Sequence, residues 1–127
     1  MIGEEVEYAL MKTANEENIK IVEFTVAPMV EQSGAKSYHE WLIEFENLPA
    51  DMNHFIEKVD ENLRKKNVYY DDLITGNILQ RLKITQIRKN GFIDYMKSIG
   101  KLGGQNKLPR LSNDRKIAEA MQNYIIP

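Results

Sequence analysis

A segment rich in glycine and lysine, residues 100–110, has the composition of a loop that could meet a phosphate group. It contains three glycines, two lysines, one arginine and one proline. Glycines let backbone N–H groups approach an anion closely, and Lys101, Lys107 and Arg110 would supply positive charge. The spacing differs from the Gly-x4-Gly-Lys-Ser/Thr phosphate loop, because no Ser or Thr follows a Gly-Lys pair at the head of a helix. From composition alone, a solvated connecting loop is the more common explanation.

The two histidines of the chain, His39 and His54, fall in different predicted elements. His39 stands beside Glu40 at the start of a strand, where the two could form an acid/base pair. Adjacent strand residues point to opposite faces, however, which favours a partly exposed strand residue instead. His54 belongs to the first turn of a helix and is expected to face solvent. Two separated histidines without a cysteine form no recognisable metal site, so we predict none.

A tyrosine pair next to an acidic pair forms another candidate site. Tyr69 and Tyr70 could stack on a flat ligand, although aromatic side chains that close over the edge of a core are the stronger interpretation. Asp71 and Asp72, like the other acidic clusters of the chain, are typical of a solvated surface. We assign them no acid/base role.

The composition indicates a globular protein of one domain. The chain has 127 residues and a mass of 14.8 kDa, 43% of its residues are apolar and 28% are charged. A net charge of −2 predicts no non-specific binding to nucleic acid or to anionic membranes. The absence of cysteine excludes disulfides and thiolate chemistry and suits a reducing compartment. With no long apolar run and no secretory leader, we expect a cytoplasmic protein.

Hydrophobic periodicity predicts the elements that position these residues. In chain order they are a helix that begins at Gly3, a strand over 19–29, a turn at 33–37, a strand over 38–46, a helix over 51–66, an irregular or short helical connector over 67–76, a strand over 79–88, a short helix after Asn90-Gly91, an irregular stretch over 100–110, and a last helix after the N-cap cluster 112–114. The first two strands should form an antiparallel hairpin.

This order of elements predicts an α+β fold. We expect a small, mostly antiparallel sheet with helices packed on one face and a ferredoxin-like split topology. In the second strand, Trp41 and Ile43 would face the helices, while Glu40 and Glu44 would partly fill the other face.

The stretch from Gly100 to Lys116 resembles the carboxyl-terminal signature of the auxin-responsive acyl-acid amido synthetases. It is most similar to bacterial relatives, where it reads as a near-continuous Gly-Gly-Gln-x-Lys-x-Pro-Arg-Leu-Ser-Asn-Asp-Arg block. Further matches follow in order along essentially the whole chain: Gly3-Glu4-Glu5 at the interdomain hinge, Tyr38-His39-Glu40-Trp41-Leu42-Ile43-Glu44-Phe45 as the His-Glu-Trp strand, Asn67 and Tyr70 as the Asn-x-x-Tyr element, and Gly91-Phe92 as a turn.

The resemblance implies that residues 1–127 are the small C-terminal lid domain of an adenylate-forming enzyme related to luciferase-type ligases. Such an enzyme uses ATP and Mg²⁺ to adenylate a carboxylic acid, then transfers the acyl group to an amine or amino acid. The large N-terminal domain of the same chain would be the partner. The fragment alone is expected to be inactive and to hold no cofactor tightly. A non-catalytic α+β interaction or ligand-sensing module stays open as the alternative.

The resemblance also implies roles for single residues. Lys107 would be the catalytic lysine that meets the adenylate. Lys101, Gly103, Gly104 and Arg110 would bind the nucleotide phosphates, and Gly3, Glu4 and Glu5 would form the hinge. One departure puts the contacts of the Asn-x-x-Tyr element in doubt: plant members carry basic residues after it, where this chain has Asp71, Asp72, Leu73 and Ile74.

Overall fold

The computed structural model describes residues 1–30, 36–101, 103 and 107–126. In chain order the elements are α1 (Gly3–Glu16), β1 (Ile21–Met29), β2 (Tyr38–Phe45), α2 (Met52–Lys66), α3 (Val68–Thr75), β3 (Lys83–Gln86), α4 (Gly91–Ser98) and α5 (Lys116–Ala120), with a final 3-10 turn at Met121–Tyr124. The predicted α+β class is confirmed. Most of the turn predicted at 33–37, and Gly104, lie outside the described residues.

The three strands form one mixed sheet in the order β1-β2-β3. β1 and β2 form the predicted antiparallel hairpin, with Val26 opposite Trp41. β3 pairs with β2 in parallel, with Trp41 beside Ile84. The sheet is therefore mixed: the longer β1–β2 ladder makes it mostly antiparallel, as predicted, but not wholly so. Parallel neighbours need a crossover connection, which α2 and α3 provide. No described strand lies between β2 and β3, so the expected ferredoxin-like split topology is not formed.

One face of the sheet carries the larger core, as predicted. Trp41 and Ile43 of β2 are fully buried under α1 and α2, whose core residues include Leu10 and Val59. β2 alternates its side chains between the two faces, so these residues share one face with His39 and Phe45. Burial of such large apolar side chains supplies the main driving force for folding.

The opposite face is covered as well, so the expectation of helices on one face only is wrong. Leu42 of β2 and Ala27 of β1 pack in a second buried cluster with Phe92 of α4, Ala118 of α5 and Met121. The sheet therefore lies between α1 and α2 on one side and α4 and α5 on the other.

The glutamates of β2 explain why the second face looked solvated. Glu40 and Glu44 flank Leu42 on this face, yet only 9% and 3% of their surfaces are exposed. Glu40 pairs with the guanidinium of Arg115 at 2.7 Å and accepts a hydrogen bond from the Thr85 hydroxyl at 2.5 Å. A carboxylate tolerates burial when it is paired and hydrogen-bonded in this way.

The connector between α2 and β3 is helical, which was one of its two predicted forms. Asn67 is the last, capping residue of α2 and the first of α3. It starts α3 because its side-chain oxygen accepts a hydrogen bond from the Tyr70 N–H at 2.9 Å. α3 is thereby turned so that Tyr70 is buried while Tyr69 stays 70% exposed.

Candidate functional site

The stretch that follows the glycine-rich loop is bound along the outer edge of β1. The Val26 N–H donates to the Arg110 carbonyl at 3.0 Å, and the Ser112 N–H donates to the Val26 carbonyl at 2.9 Å. The Thr25 hydroxyl donates to the Pro109 carbonyl at 2.6 Å. This edge tolerates a proline, since Pro109 uses only its carbonyl there. Residues 107–112, here called the edge segment, are therefore held in place by the sheet.

A cleft of about 650 Å³, here called the loop cleft, lies beside the edge segment. Its lining includes Lys101, Gly103, Lys107 and Arg110, four of the residues predicted to catalyse or to bind phosphate. The structure thus brings both ends of the glycine-rich loop to one place. Apolar side chains of α4, among them Phe92 and Met96, also contribute to the lining.

The arginine of the loop cleft is occupied by acidic partners. Its guanidinium forms an ion pair with Glu23, lies 3.9 Å from a Glu7 carboxylate oxygen, and donates to the Phe24 carbonyl at 3.3 Å. It also lies over the Phe24 ring, 4.5 Å from the centroid. Arg110 therefore attaches the edge segment to β1 and α1, and two carboxylates already neutralise its charge.

The two lysines of the loop cleft differ from the arginine. Lys101 and Lys107 are both exposed, and neither forms an ion pair with any residue in the described part of the chain. Gly100 ends α4 with a φ of +70°, a conformation that favours glycine, and the Lys101 N–H donates to the Met96 carbonyl at 2.9 Å. The backbone of Lys101 is thus anchored to α4, and the edge segment that follows Lys107 is bound to β1, while both ammoniums are exposed.

A buried glutamate at the base of the loop cleft was missed as a site residue. Glu44 accepts hydrogen bonds from the N–H groups of Asn90 at 3.0 Å and Phe92 at 3.5 Å, the first turn of α4. An acid at the start of a helix satisfies free N–H groups and complements the dipole. The sequence did contain a sign that Glu44 is buried. Leu42 lies on the same face of β2 as Glu40 and Glu44, and an apolar residue there indicates that this face is covered.

The predicted hinge residues form the first turn of α1, close to the edge segment. A Cβ atom at Gly3 would lie 3.5 Å from the Arg110 Cβ. Glu5 accepts from the Ile2 N–H at 2.8 Å and from the Asn67 side chain at 3.1 Å, while Glu4 is exposed. The hinge role itself stays a prediction.

A second cleft, of about 860 Å³, brings together residues singled out separately in the sequence. It is called the ring cleft here, after the rings of His39, Tyr69 and Tyr70, and Pro109 and Leu111 of the edge segment also line it. Burial first, and the positive charge of the amino terminus second, lower the pKa of His39. The pair that His39 might have formed with Glu40 is absent, because the two side chains point to opposite faces as predicted.

The buried tyrosine of the ring cleft belongs to a charged network. The Tyr70 hydroxyl donates to the buried Asp60 carboxylate at 2.6 Å, and Arg64 and Arg81 lie 3.8 and 3.7 Å from that carboxylate. Burial, followed by the bond to Asp60, raises the pKa of Tyr70 far above its usual value. The hydroxyl therefore stays a donor and fixes the ring.

The remaining site predictions concern metals, membranes and His54. His54 is exposed as predicted and pairs with Glu17 at 2.9 Å. Within the described ranges, no three His, Asp or Glu side chains cluster closely enough to hold a metal ion. None of the described helices has the length and apolar character needed to cross a membrane.

This chain is an α+β domain, with a mixed sheet between two helical layers. The exposed lysines beside the sheet edge make the loop cleft a candidate anion-binding site. The sequence profile of the GH3 family C-terminal domain matches residues 4–116, so the chain belongs to that family. The resemblance seen in the sequence is therefore confirmed at the level of the family. Its closer likeness to bacterial relatives stays a prediction.

Solved structures agree with this assignment of the fold. One match is "GH3.15 acyl acid amido synthetase", with a TM-score of 0.71 and 16% identity over 98% of this chain and 24% of that chain. Another is "AtGH3.15 acyl acid amido synthetase in complex with 2,4-DB", with a TM-score of 0.69 and 15% identity over 98% of this chain and 23% of that chain. A comparison with curated protein sequences finds no match. The chain spans about a quarter of the length of these structures.

Proposed function

We propose that this chain acts as the C-terminal lid domain of an ATP-dependent acyl-acid amido synthetase. Three findings support the proposal: the family of the domain, the fold it shares with acyl acid amido synthetases, and its span of about a quarter of their length. The remaining length would supply the N-terminal partner domain that binds ATP, Mg²⁺, the carboxylic acid and the amine. A chain without cysteine that serves such an ATP-dependent ligase suits the cytoplasm.

The observation that carries the proposal is the pair of lysines at the loop cleft. In the first half-reaction a carboxylate oxygen attacks the α-phosphorus of ATP, and the bond to pyrophosphate breaks to leave an acyl-adenylate. In the second half-reaction the amine attacks the acyl carbon, and AMP leaves with the electron pair of the broken bond. Both steps move negative charge onto phosphate oxygens, which a cation placed by a closing domain stabilises.

Lys107 is the better placed of the two cations for this task. It begins the edge segment, and the hydrogen bonds of Pro109, Arg110 and Ser112 to β1 fix the backbone behind it. An ammonium on an anchored backbone loses less entropy when it meets an anion, which is the advantage of preorganisation. Lys101 and Gly103 would support the phosphate contact, and Gly104 would complete it as predicted. Arg110, the fourth predicted phosphate contact, would act by holding Lys107 in place.

The metal ion of the reaction would be held elsewhere. Among the described residues no cluster of acidic side chains offers a Mg²⁺ site. Mg²⁺ is usually bound by one or two carboxylates together with substrate phosphates, so its ligands would come from ATP and the partner domain. This chain would contribute only positive side chains and backbone N–H groups.

The test uses the full-length parent enzyme with Lys107→Ala. We expect acid-dependent pyrophosphate release to fall about a hundredfold or more, the usual cost of removing one donor from a charge-stabilising site. Lys12→Ala, which removes an exposed lysine on α1, is the matched control and should keep full activity. If pyrophosphate release persisted while amide formation fell, the loop would serve acyl transfer instead. Unchanged rates in both steps would make the loop a solvated connector.

A further inference from the structure

The edge segment pairs with the backbone of β1 at one point. Leu111 forms a single parallel bridge with Val26, made by the hydrogen bonds of the Val26 N–H and carbonyl. The Thr25 hydroxyl adds one neutral hydrogen bond to Pro109. So short a pairing specifies the register weakly, because a slip by two residues keeps every side chain on its own face. Such a slip would move Lys107 along β1 by about 7 Å.

The residues of β1 on either side of Val26 limit a slip to one direction. Phe24 and Pro28 turn their backbone groups to the same edge as Val26. Pro28 has no N–H, so the bridge cannot form there with both of its hydrogen bonds. The Phe24 N–H donates to the Glu23 side chain at 2.9 Å, and the Phe24 carbonyl accepts from Arg110 at 3.3 Å. Arg110 would move with the edge segment, however, so a slip toward Phe24 needs a further restraint.

Arg115, three residues after the edge segment, supplies that restraint. Its guanidinium donates to the Pro28 carbonyl at 3.1 Å and to the Glu40 carboxylate at 2.7 Å. The Thr85 hydroxyl donates to the same carboxylate at 2.5 Å and fixes it from β3. A planar guanidinium with several N–H donors suits two acceptors at once. Arg115 therefore ties the chain to all three strands.

Burial makes Arg115 the stronger of the two arginine contacts. The side chains of Arg115 and Glu40 are 21% and 11% exposed, against 35% and 28% for Arg110 and Glu23. Solvent screens the more exposed pair, whereas separation of a buried pair leaves a carboxylate without its cation. A slip toward Phe24 would draw Arg115 away from Glu40 and is therefore opposed by the buried charge.

We propose that Arg115 is a positioning residue, which pairs with Glu40 to fix the register of the edge segment on β1 and thereby places Lys107 in the loop cleft. The inference rests on the proposed function for the role of Lys107, whereas the register is a property of the fold. Misplacement of a catalytic group by about 1 Å can lower a rate a hundredfold. The register and its effect on catalysis can therefore be measured separately.

The register is measured by NMR on the 127-residue chain. We expect nuclear Overhauser contacts between Leu111 and Val26 in the unaltered chain and their loss in Arg115→Ala. Arg81→Ala, which removes another arginine beside a buried carboxylate, is the matched control and should keep these contacts. If Arg115→Ala does not fold, the same loss is expected in the double variant that adds Glu40→Gln, which leaves no unpaired buried charge. Contacts that persist without the arginine would overturn the proposal.

The effect on catalysis is measured in the full-length parent. Arg115→Ala should lower kcat for acid-dependent pyrophosphate release about tenfold or more and leave KM for ATP unchanged, since Lys107 is displaced rather than removed. Arg81→Ala should keep both constants. Unchanged kcat in Arg115→Ala, beside a loss in Lys107→Ala, would refute the positioning role. An unchanged rate in Lys107→Ala would instead overturn the proposed function and the effect on Lys107, and the NMR contacts would still decide the register.

Discussion

The loop cleft and the ring cleft share the edge segment but satisfy their polar groups in different ways. Arg110 of the segment lines the loop cleft, where Glu7 and Glu23 pair with it, buried Glu44 accepts hydrogen bonds, and two lysine ammoniums remain exposed. Pro109 lines the ring cleft, where one buried nitrogen has no partner among the described residues. The loop cleft therefore presents exposed cations, whereas the ring cleft presents aromatic rings and an imidazole.

The largest effect should come from the buried acid of the loop cleft. Glu44→Ala removes the acceptor of two N–H groups at the start of α4 and leaves a void between helix and sheet. We expect the free energy of unfolding to fall by about 3 kcal/mol, as measured by urea denaturation. Glu44→Gln, which keeps the shape and one acceptor oxygen, should lose clearly less. Equal losses would show that the hydrogen bonds to α4 are not what Glu44 provides.

The corresponding change at the ring cleft is Tyr70→Phe. Loss of the hydroxyl removes one donor from buried Asp60, which keeps Arg64 and Arg81 nearby, so we expect a loss of about 1–2 kcal/mol. The raised pKa of Tyr70 also predicts a pH dependence. Above a pH of about 10 the unfolded chain loses the tyrosine proton while the folded chain keeps it, so stability falls as pH rises.

The pH profile separates the hydroxyl from the ring. Urea midpoints measured from pH 8 to pH 11 should fall less steeply in Tyr70→Phe than in the unaltered chain. Tyr8→Phe, at a partly exposed position on α1, serves as the control and should keep the original slope. Parallel profiles for all three chains would contradict the role of Tyr70 as a buried donor.

A smaller effect on stability is expected for the arginine of the edge segment. Arg110→Ala loses the pairs with Glu23 and Glu7 and the contact with the Phe24 ring. Because the side chain is about one-third exposed, solvent screens these pairs, and we expect a loss of about 1 kcal/mol. In the full-length enzyme the same variant should lower the rate by displacing Lys107. Arg110→Lys should recover part of the stability, and full activity in Arg110→Ala would contradict the positioning role.

The sequence predicted most of the fold, because hydrophobic residues recur with a clear period in elements that bury only one face. Trp41, Ile43 and Phe45 recur at every second position of a strand, and Leu63 continues a helical stripe, so the first core could be predicted. The second face could not, because Glu40 and Glu44 look solvated unless their partners are known. Those partners, Arg115 and the N–H groups at the start of α4, lie more than 40 residues away in the chain.

The residues of the candidate sites could be predicted where a local pattern marks them, but not where they depend on contacts between distant parts of the chain. A run of glycines and lysines signals its chemistry locally, so Lys101 and Lys107 could be named from the sequence, although their meeting at one cleft could not. Whether Arg110 is available for an anion depends on Glu7 and Glu23, which are distant in the chain. The ring cleft joins His39 to Tyr69 across the fold, and no local pattern connects them.

The most direct test of the loop cleft is a crystal structure of the full-length parent with a non-hydrolysable acyl-adenylate analogue. We expect the Lys107 ammonium about 3 Å from an oxygen at the phosphate position, the distance of a charge-assisted hydrogen bond. We also expect Arg110 to stay paired with Glu23. A structure in which Arg110 leaves Glu23 to bind the analogue, while Lys107 points into solvent, would contradict the proposed role of Lys107.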